Sequence, residues 1–391
     1  MSTGSLARGR SPRTWAAAGV VAILAASLAA CGSNSNDKAS PQGSNGTSSS
    51  NSKLAAEVAA LTKPLSSYPV PTASISNVSS MSGKTIYYIP ISQQAPQFTI
   101  TANALTAAAK KVGMKVQVCD GKGTPSGIGA CVSQATQAKA AAIIADAIPY
   151  VLDANGFAAA QKAGIPVIIG NNVPDKGIQQ SKTLAYVGYD AGSAMEAALA
   201  KWVILNSNGK ANILINEDTD GPSPATFESA GLKVYKTQCP GCNVTINKVS
   251  SANFSLVPSS TSAALLKDPN ITYVESQYEQ FLQATQGGVQ QTSRQVTYLD
   301  GAAQLDSVKA VANGTVAAAA GQASAYEGWV FLDAVLRMNL GDALPDYTVP
   351  VRLFTKDTVT AADQTEQAQD TGAWFGPTSF TTDFEKLWGV A

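Results

Sequence analysis

Cysteines carry the most reactive side chains in this 391-residue chain. Cys239 and Cys242 form a CPGC motif, the spacing that thiol oxidoreductases use. A redox pair of this kind normally opens a helix, whereas NVTINKV follows here, and its alternation indicates a strand. Together with Cys119 and Cys131 they make an even set, which in an exported chain indicates two disulfides. We predict the local pairs Cys119–Cys131 and Cys239–Cys242 as structural staples, with a redox CPGC as the alternative.

The remaining cysteine, Cys31, follows a short apolar segment. Residues 1–14 hold three arginines and no acid, and residues 15–30 are uncharged but too few to span a bilayer. This order predicts a secretory signal peptide over 1–30. LAAC, which ends at Cys31, resembles a bacterial lipobox, and that resemblance implies a lipoprotein with diacylglycerol and acyl chains such as palmitate on Cys31. An ordinary soluble signal peptide is the alternative.

A tract of mostly Ser, Asn and Gly follows the lipobox. Residues 31–53 cannot bury enough apolar surface to fold, so we predict a flexible tether there. No later stretch reads as a membrane span. The sequence therefore predicts an extracytoplasmic protein that is anchored to the cell membrane by lipid on Cys31.

Composition narrows the function classes. The chain has no histidine and equal numbers, 27 each, of basic and acidic residues. Without histidine, Ser-His-Asp and Cys-His catalysis and imidazole zinc sites are excluded. No basic run or nucleic-acid-binding motif is present, so we expect no nucleic acid partner. We predict a protein that is not an enzyme and has no cofactor and no metal, with a carboxylate hydrolase or the CPGC oxidoreductase as the enzymatic alternatives.

Strand and helix patterns alternate along the body of the chain. Buried strands read as continuous apolar runs, such as AAIIADA over 141–147, which is typical of parallel sheets covered on both faces. The strand–helix pattern occurs twice, over about 84–190 and 191–322. This predicts an α/β fold of two doubly wound parallel-sheet lobes joined by a multi-strand hinge. In such lobes ligands bind beyond the carboxyl ends of the strands.

The predicted lobes are each built from two separate segments. The first lobe comprises 54–188 and 323–350, and the second comprises 189–322 and 351–391. The hinge crossings are expected near 188–191, 322–325 and 348–352. Residues 54–82 are expected to form a short helix and an extended strap along the first lobe. Trp374 and Phe375 are expected either to cover the cleft mouth or to pack on the second lobe.

The loops after the strands are rich in amides, carboxylates and aromatic residues. Their order over about 84–350 resembles the type I periplasmic binding proteins of the ribose/galactose-binding branch. The most specific stretches are YVGYDAGSAMEAALAKWV, at the crossing into the second lobe, and VTYLDGAAQLDSVKAVANGTVAAAAGQ, near the end. The resemblance implies the substrate-binding component of an ABC transporter, with a ligand held between the lobes.

The resemblance also implies which side chains contact that ligand. Asp300 matches a family aspartate that accepts hydrogen bonds from ligand hydroxyls. Gln322 matches a glutamine in the cleft near the hinge, and Gln277 matches an amide at the end of a strand. The full set of predicted contacts is Gln93, Gln94, Gln97, Phe98, Asp146, Tyr150, Asn171, Phe227, Phe254, Gln277, Asp300 and Gln322. Asp300 capping the next helix, and Phe254 belonging to a core, are the alternatives.

Charge in these loops limits the ligand. Sugar-binding members of the family carry arginines there, but the cleft loops of this chain hold no Arg or Lys, which disfavours a strongly anionic ligand. We predict a sugar or sugar-like polyol. An amine-bearing solute is the alternative, because Glu217, Asp218, Asp220 and Asp300 could face it.

The predicted function is capture of this solute by lobe closure. A lipid-anchored monomer would then deliver the solute to the permease of an ABC importer. The same lobes could instead signal to a membrane receptor or kinase, and sequence does not separate the two roles. A sugar-responsive repressor is excluded by the export signal and by the missing DNA-binding head.

Overall fold

A computed structural model describes residues 45–391 of the chain. The predicted signal peptide, the lipobox with Cys31 and the first part of the predicted tether lie outside these residues. Between residues 45 and 391, no helix combines the length and the apolar character that crossing a membrane requires.

The first sheet contains five parallel strands. They are β1 (Thr85–Pro90), β2 (Lys115–Val118), β3 (Ala142–Asp146), β4 (Val167–Gly170) and β5 (Leu184–Val187). Their order is β2-β1-β3-β4-β5, with Ile86 of β1 opposite Ala142 of β3. The central strand β3 is buried along its whole length, as its continuous apolar run predicted.

The second sheet contains six strands. They are β6 (Asn212–Asp218), β7 (Asn243–Val249), β8 (Tyr273–Ser276), β9 (Thr297–Asp300), β10 (Ala318–Gln322) and β11 (Val351–Thr355). Their order is β11-β10-β9-β8-β6-β7. All neighbours are parallel except β11, which pairs antiparallel with β10 and places Val351 opposite Gln322. The predicted α/β fold with two parallel-dominated sheets is confirmed.

Helices cover both sheets. They are α1 (Asn45–Leu61), α2 (Pro96–Lys111), α3 (Pro125–Gln137), α4 (Ala154–Lys162), α5 (Ala191–Asn206), α6 (Pro222–Gln238), α7 (Val257–Lys267), α8 (Leu282–Gln290), α9 (Leu305–Asn313), α10 (Ser324–Leu340), α11 (Glu366–Asp370) and α12 (Phe380–Leu387). Short 3₁₀ turns lie at 78–81, 150–153, 251–256, 279–281 and 362–364.

Helix α10 follows the second sheet in sequence but packs on α2 beside the first sheet. The close approach depends on Gly328, where a Cβ would come within 2.6 Å of the Leu105 backbone nitrogen. The chain therefore returns from the second sheet to the first just after Gln322.

The segment before the first strand was assigned to a tether up to residue 53 and to the first lobe from residue 54. Instead, α1 already begins at Asn45 and packs on α5 and β11 of the second lobe. The reason is its apolar face, since Leu54 and Val58 are buried in the cluster that surrounds α5. Beyond α1 the chain runs along the first lobe as an extended strap, where Tyr326 donates to the Pro69 carbonyl at 2.7 Å.

The last segment joins the two sheets. Trp374 and Phe375 pack against Phe354 of β11, which is one of the two positions expected from sequence. Further on, Trp388 stacks on Trp329 of α10 at 5.5 Å between ring centroids. Residues 351–391 were assigned wholly to the second lobe, but α12 packs on α10 because its aromatic face fits there.

Both disulfides have the predicted pairing. Cys119 is bonded to Cys131, and Cys239 to Cys242. Cys239 directly follows the carboxyl end of α6, and β7 follows Cys242. A reactive CxxC instead uses the amino end of a helix to lower the thiol pKa. The position therefore supports a structural staple.

Candidate functional site

An open groove of about 720 Å³ lies between the loop after β1 and the second lobe. The first lobe contributes Gln94 and Pro96, and the second contributes Ser251 and Phe254. The other lining residues, all from the second lobe, are Glu279, Gln280, Leu282, Gln283, Gln286, Asp306, Ala310, Asn313 and Thr315. A volume of this size suits a small-molecule ligand.

The groove combines one aromatic face with amides and carboxylates. Phe254 is 45% exposed and stacks on buried Phe281, with ring centroids 5.9 Å apart. No Arg or Lys lies among the residues that line the groove. Burial raises the pKa of Glu279, and the charge of nearby Asp306 raises it further. Such a lining can bind hydroxyls through the amides and a C–H face through the ring.

Hydrogen bonds between three loops hold the second-lobe wall of the groove. The Asp220 carboxylate, after β6, accepts from the Ser251 backbone nitrogen at 2.9 Å. The Gln280 side chain, after β8, donates to the Ser251 hydroxyl at 3.3 Å. Ser250 caps the turn that carries Phe254 by accepting from the Asn253 nitrogen. These hydrogen bonds fix the turn that carries Phe254.

Three of the predicted contacts meet in one buried network, the hinge network. Tyr88 donates to Asp146 at 2.5 Å, and Asn171 donates to the other oxygen of Asp146 at 2.8 Å. Gln322 donates to the Asn171 side-chain oxygen at 2.9 Å and to Glu327 at 3.2 Å. Burial raises the pKa of both Asp146 and Glu327. The network lies where the chain crosses between the lobes at 322–325.

Gln277 and Asp300 are buried inside the second lobe and do not line the groove. Gln277 is fully buried, accepting from the Asp218 nitrogen at 2.8 Å and donating to the Pro224 carbonyl at 2.9 Å. Asp300 accepts from Ser307 at 2.5 Å, and its other oxygen is buried without a partner. Burial is the main cause that raises the pKa of Asp300 well above its usual range.

The N-cap of α9 is Gln304, which forms a capping box with Ser307. Asp300 is therefore not the cap of α9, and it contacts the capping box only by accepting a hydrogen bond from Ser307.

The other predicted contacts are spread over both lobes. Phe98 and Phe227 are buried near the starts of α2 and α6. Tyr150 donates to Gln161 at 2.8 Å. Gln93 is exposed, and Gln97 is half-buried. Of the twelve predicted contacts, Gln94 and Phe254 are the two that line the groove.

Sequence reasoning missed a contact between the lobes. Ser223, at the start of α6, donates to the Asn172 side chain at 2.7 Å and accepts from the Val173 nitrogen at 3.2 Å. It also missed Glu279 and Gln280 on the groove. Asn172 belongs to the strand-end loop GNN, Ser223 to EDTDGPSPATF, and Glu279 and Gln280 to SQYEQ. Their position after a strand is the only signal that the sequence offers for them.

No family model matches this sequence, and no curated protein resembles it in sequence. Solved structures do resemble it. An ABC transporter solute-binding protein from Agrobacterium vitis, bound with alpha-D-tagatopyranose, has a TM-score of 0.64 at 18% identity, covering 71% of this chain and 96% of that one. A 5-methylthioribose transporter solute-binding protein from Thermotoga lettingae, in complex with 5-methylthioribose, has a TM-score of 0.63 at 15% identity, covering 77% and 96%.

A third structure has the same architecture. An ABC transporter solute-binding protein from Mycobacterium smegmatis, with bound glycerol, has a TM-score of 0.63 at 17% identity and covers 71% of this chain and 96% of that one. All three are matched over nearly their whole length, and the two-sheet topology agrees with the expectation from sequence. The chain therefore has the fold of the type I periplasmic binding proteins.

Proposed function

We propose that this chain is an extracytoplasmic, lipid-anchored solute-binding protein that captures a sugar or sugar-like polyol and delivers it to an ABC importer. The observation that carries the proposal is a two-lobed fold shared with solute-binding proteins solved with tagatopyranose, 5-methylthioribose and glycerol. The ligand class is argued from the groove of this chain, because identities of 15% to 18% extend to the fold alone.

The chemistry of the groove favours a neutral ligand. A polyol needs donors and acceptors together, and the side-chain amides of Gln94, Gln280 and Gln283 supply both. The exposed ring of Phe254 gives the C–H face of a sugar a surface to pack on. A bound anion would lack a fixed cation among the lining residues. Glu279 and Asp306 support an amine-bearing solute as the second candidate.

Closure follows from how the lobes meet. The groove has one wall on each lobe, so a ligand touching Gln94 and Phe254 binds the closed arrangement better than an open one. The Asn172–Ser223 bond closes a second point between the lobes. We assign Asp146, Asn171 and Gln322 to the hinge, where their hydrogen bonds fix the angle between the two lobes.

The lipid anchor is argued from the sequence around Cys31. A membrane tether would raise the effective concentration of the closed, loaded protein at its permease. Delivery to the permease depends on prior capture of the ligand.

A thermal-shift screen of the full-length chain tests the proposal, with panels of neutral sugars, polyols, amino acids and polyamines. A true ligand at about one hundred times its Kd should stabilise the fold by about 2.7 kcal/mol. Phe254→Ala should weaken binding about tenfold. The matched control is Leu266→Ala on α7, because Leu266 is 71% exposed and does not line the groove.

Two results would overturn the proposal. One is a folded, disulfide-intact protein that none of the neutral sugars or polyols stabilises. The other is a sugar that binds the Phe254→Ala and wild-type chains equally well, since the groove would then not be its site. A shift with polyamines alone would replace the sugar by the amine-bearing candidate.

A further inference from the structure

Three glutamates converge inside the second lobe and do not line the groove. Glu196 lies on α5, Glu228 on α6 and Glu275 on β8, and none is more than 3% exposed. One carboxylate oxygen from each lies within 4.8 Å of the other two. Each carboxylate also has an oxygen that is buried without a hydrogen-bond partner. We call these three residues the glutamate cluster.

Close packing of α5 on α6 holds two of the carboxylates together. A Cβ at Gly231 would lie 3.2 Å from the Glu196 carbonyl and 3.3 Å from the Glu228 carboxylate. A Cβ at Gly192 would overlap the Phe227 ring at 2.4 Å. These two glycines therefore let the helices approach closely enough for both glutamates to reach Glu275.

Tyr235 is a second, independent indication that the cluster binds a ligand. It lies on α6, is 3% exposed, and its hydroxyl has no hydrogen-bond partner. Burial raises its pKa first, and the charges of Glu275, Glu228 and Glu196 raise it further, because the phenol lies near all three. Because this hydroxyl has no partner within the fold, it is available as a fourth oxygen ligand.

No basic side chain of residues 45–391 forms an ion pair with the cluster. Lys248, whose charge acts on Glu228, is paired with Glu217. Buried carboxylates without a compensating cation are costly. The cluster must therefore take up protons or bind a cation from solution.

The donor set selects among cations. Three carboxylates and one phenol supply up to seven oxygens and no nitrogen or sulfur, which suits a hard cation. Ca²⁺ takes roughly six to eight oxygens at about 2.4 Å, so donors on opposite sides of it lie about 4.8 Å apart. Mg²⁺ keeps several of its waters, and a site this deeply buried has little space for them.

We propose that Glu196, Glu228, Glu275 and the hydroxyl of Tyr235 form a calcium site in the second lobe. A Ca²⁺ ion there would join three elements of the second lobe. Helix α5 begins at a hinge crossing, α6 begins at Ser223, and β8 leads into the turn that carries Glu279. The ion would stabilise the second lobe whether or not a solute is bound, so the proposal stands independently of the sugar.

Calorimetric titration of the EDTA-treated full-length chain with CaCl₂ tests the site, with MgCl₂ and ZnCl₂ for comparison. We expect one equivalent of Ca²⁺ per chain and weaker binding of the other two ions. Glu275→Gln should weaken Ca²⁺ binding by at least about tenfold. Tyr235→Phe should also weaken it, whereas Tyr273→Phe is the matched control, because its hydroxyl already donates to Asn206 at 2.8 Å.

Two outcomes overturn the proposal. A folded wild-type chain that binds no Ca²⁺ would show that the cluster is neutralised by protons. Ca²⁺ binding that is unchanged in both Glu275→Gln and Tyr235→Phe would place the ion elsewhere. If Glu275→Gln fails to fold, the nearly isosteric Tyr235→Phe still decides between these results.

Discussion

The hinge network and the glutamate cluster bury acids to the same depth but surround them differently. Asp146 and Glu327 at the hinge receive hydrogen bonds from Tyr88, Asn171 and Gln322. The three glutamates of the cluster receive no hydrogen bond from a basic side chain or an amide of residues 45–391. Each keeps an unpartnered oxygen, as Glu327 does, but Glu327 also accepts hydrogen bonds from two amides. Donors from the protein stabilise a buried acid within the fold, whereas a buried acid without them needs protons or a cation from solution.

The first prediction removes a donor at the hinge and has the largest expected effect. Tyr88→Phe deletes the hydroxyl that donates to Asp146 at 2.5 Å and leaves a fully buried carboxylate with one partner fewer. The free energy of unfolding should fall by about 2 kcal/mol, the value of a hydrogen bond to an ionised group. Urea unfolding of both chains measures it.

The control for that variant lies in the same sheet. Tyr186 is also buried, but its hydroxyl accepts only a long 3.5 Å bond from the Asp175 nitrogen. Tyr186→Phe should therefore change the free energy of unfolding by less than about 0.5 kcal/mol. Equal losses in the two variants would mean that the hinge donors do not stabilise Asp146.

The second prediction concerns the glutamate cluster, where removing an acid should increase the free energy of unfolding instead of lowering it. In calcium-free buffer, Glu228→Gln removes one of three neighbouring acids. Burial raises the pKa of all three, and the charges of neighbouring glutamates raise those of Glu196 and Glu228 further. The free energy of unfolding should rise by about 1 kcal/mol near pH 8. With saturating Ca²⁺ the same variant should be less stable than the wild-type chain. If Glu228→Gln is less stable than the wild-type chain in calcium-free buffer, the cluster does not differ from the hinge network in the way described.

The third prediction concerns the pH dependence of stability. Burial raises the pKa of Asp146 and Glu327 above the unfolded value of about 4, so the folded chain holds these protons more tightly. Stability is then full below that value and falls as the pH rises through the folded pKa. Glu327→Gln cannot lose a proton, so its stability should fall by about 1 kcal/mol less than that of the wild-type chain between about pH 5 and pH 8.

Unfolding at several pH values tests this slope. The neighbours of Glu327 in the hinge network, Tyr88, Asn171 and Gln322, are uncharged at these pH values, and Asp146 is its acidic neighbour. Glu366→Gln is the control, because Glu366 is exposed at the start of α11. If the free energy of unfolding of Glu327→Gln depends on pH as steeply as that of the wild-type chain, ionisation of Glu327 does not contribute to the pH dependence of stability.

Much of the fold is readable from the sequence, because buried parallel strands must be apolar along their whole length. AAIIADA is such a run, and it became β3. Strand β11 was missed, since VRLFT pairs antiparallel at the sheet edge and does not belong to a strand–helix–strand repeat. Helix α12 was missed because only the aromatic surface of α10 gives its own aromatic face a partner.

The site is less readable, because position at a strand end does not fix the direction of a side chain. Gln277 directly follows β8, yet its side chain bonds to Asp218 and Pro224 inside the lobe. The glutamate cluster has no sequence signal, since its members lie 32 and 47 residues apart on three elements. Only the fold brings them together.

The most direct test of solute capture is small-angle scattering from the full-length chain, with and without the best ligand of the screen. If the solute bridges Gln94 and Phe254, ligand should reduce the radius of gyration by closing the lobes, and Phe254→Ala should require more ligand for the same change. A sugar that saturates the protein and leaves the radius of gyration unchanged would contradict capture by closure.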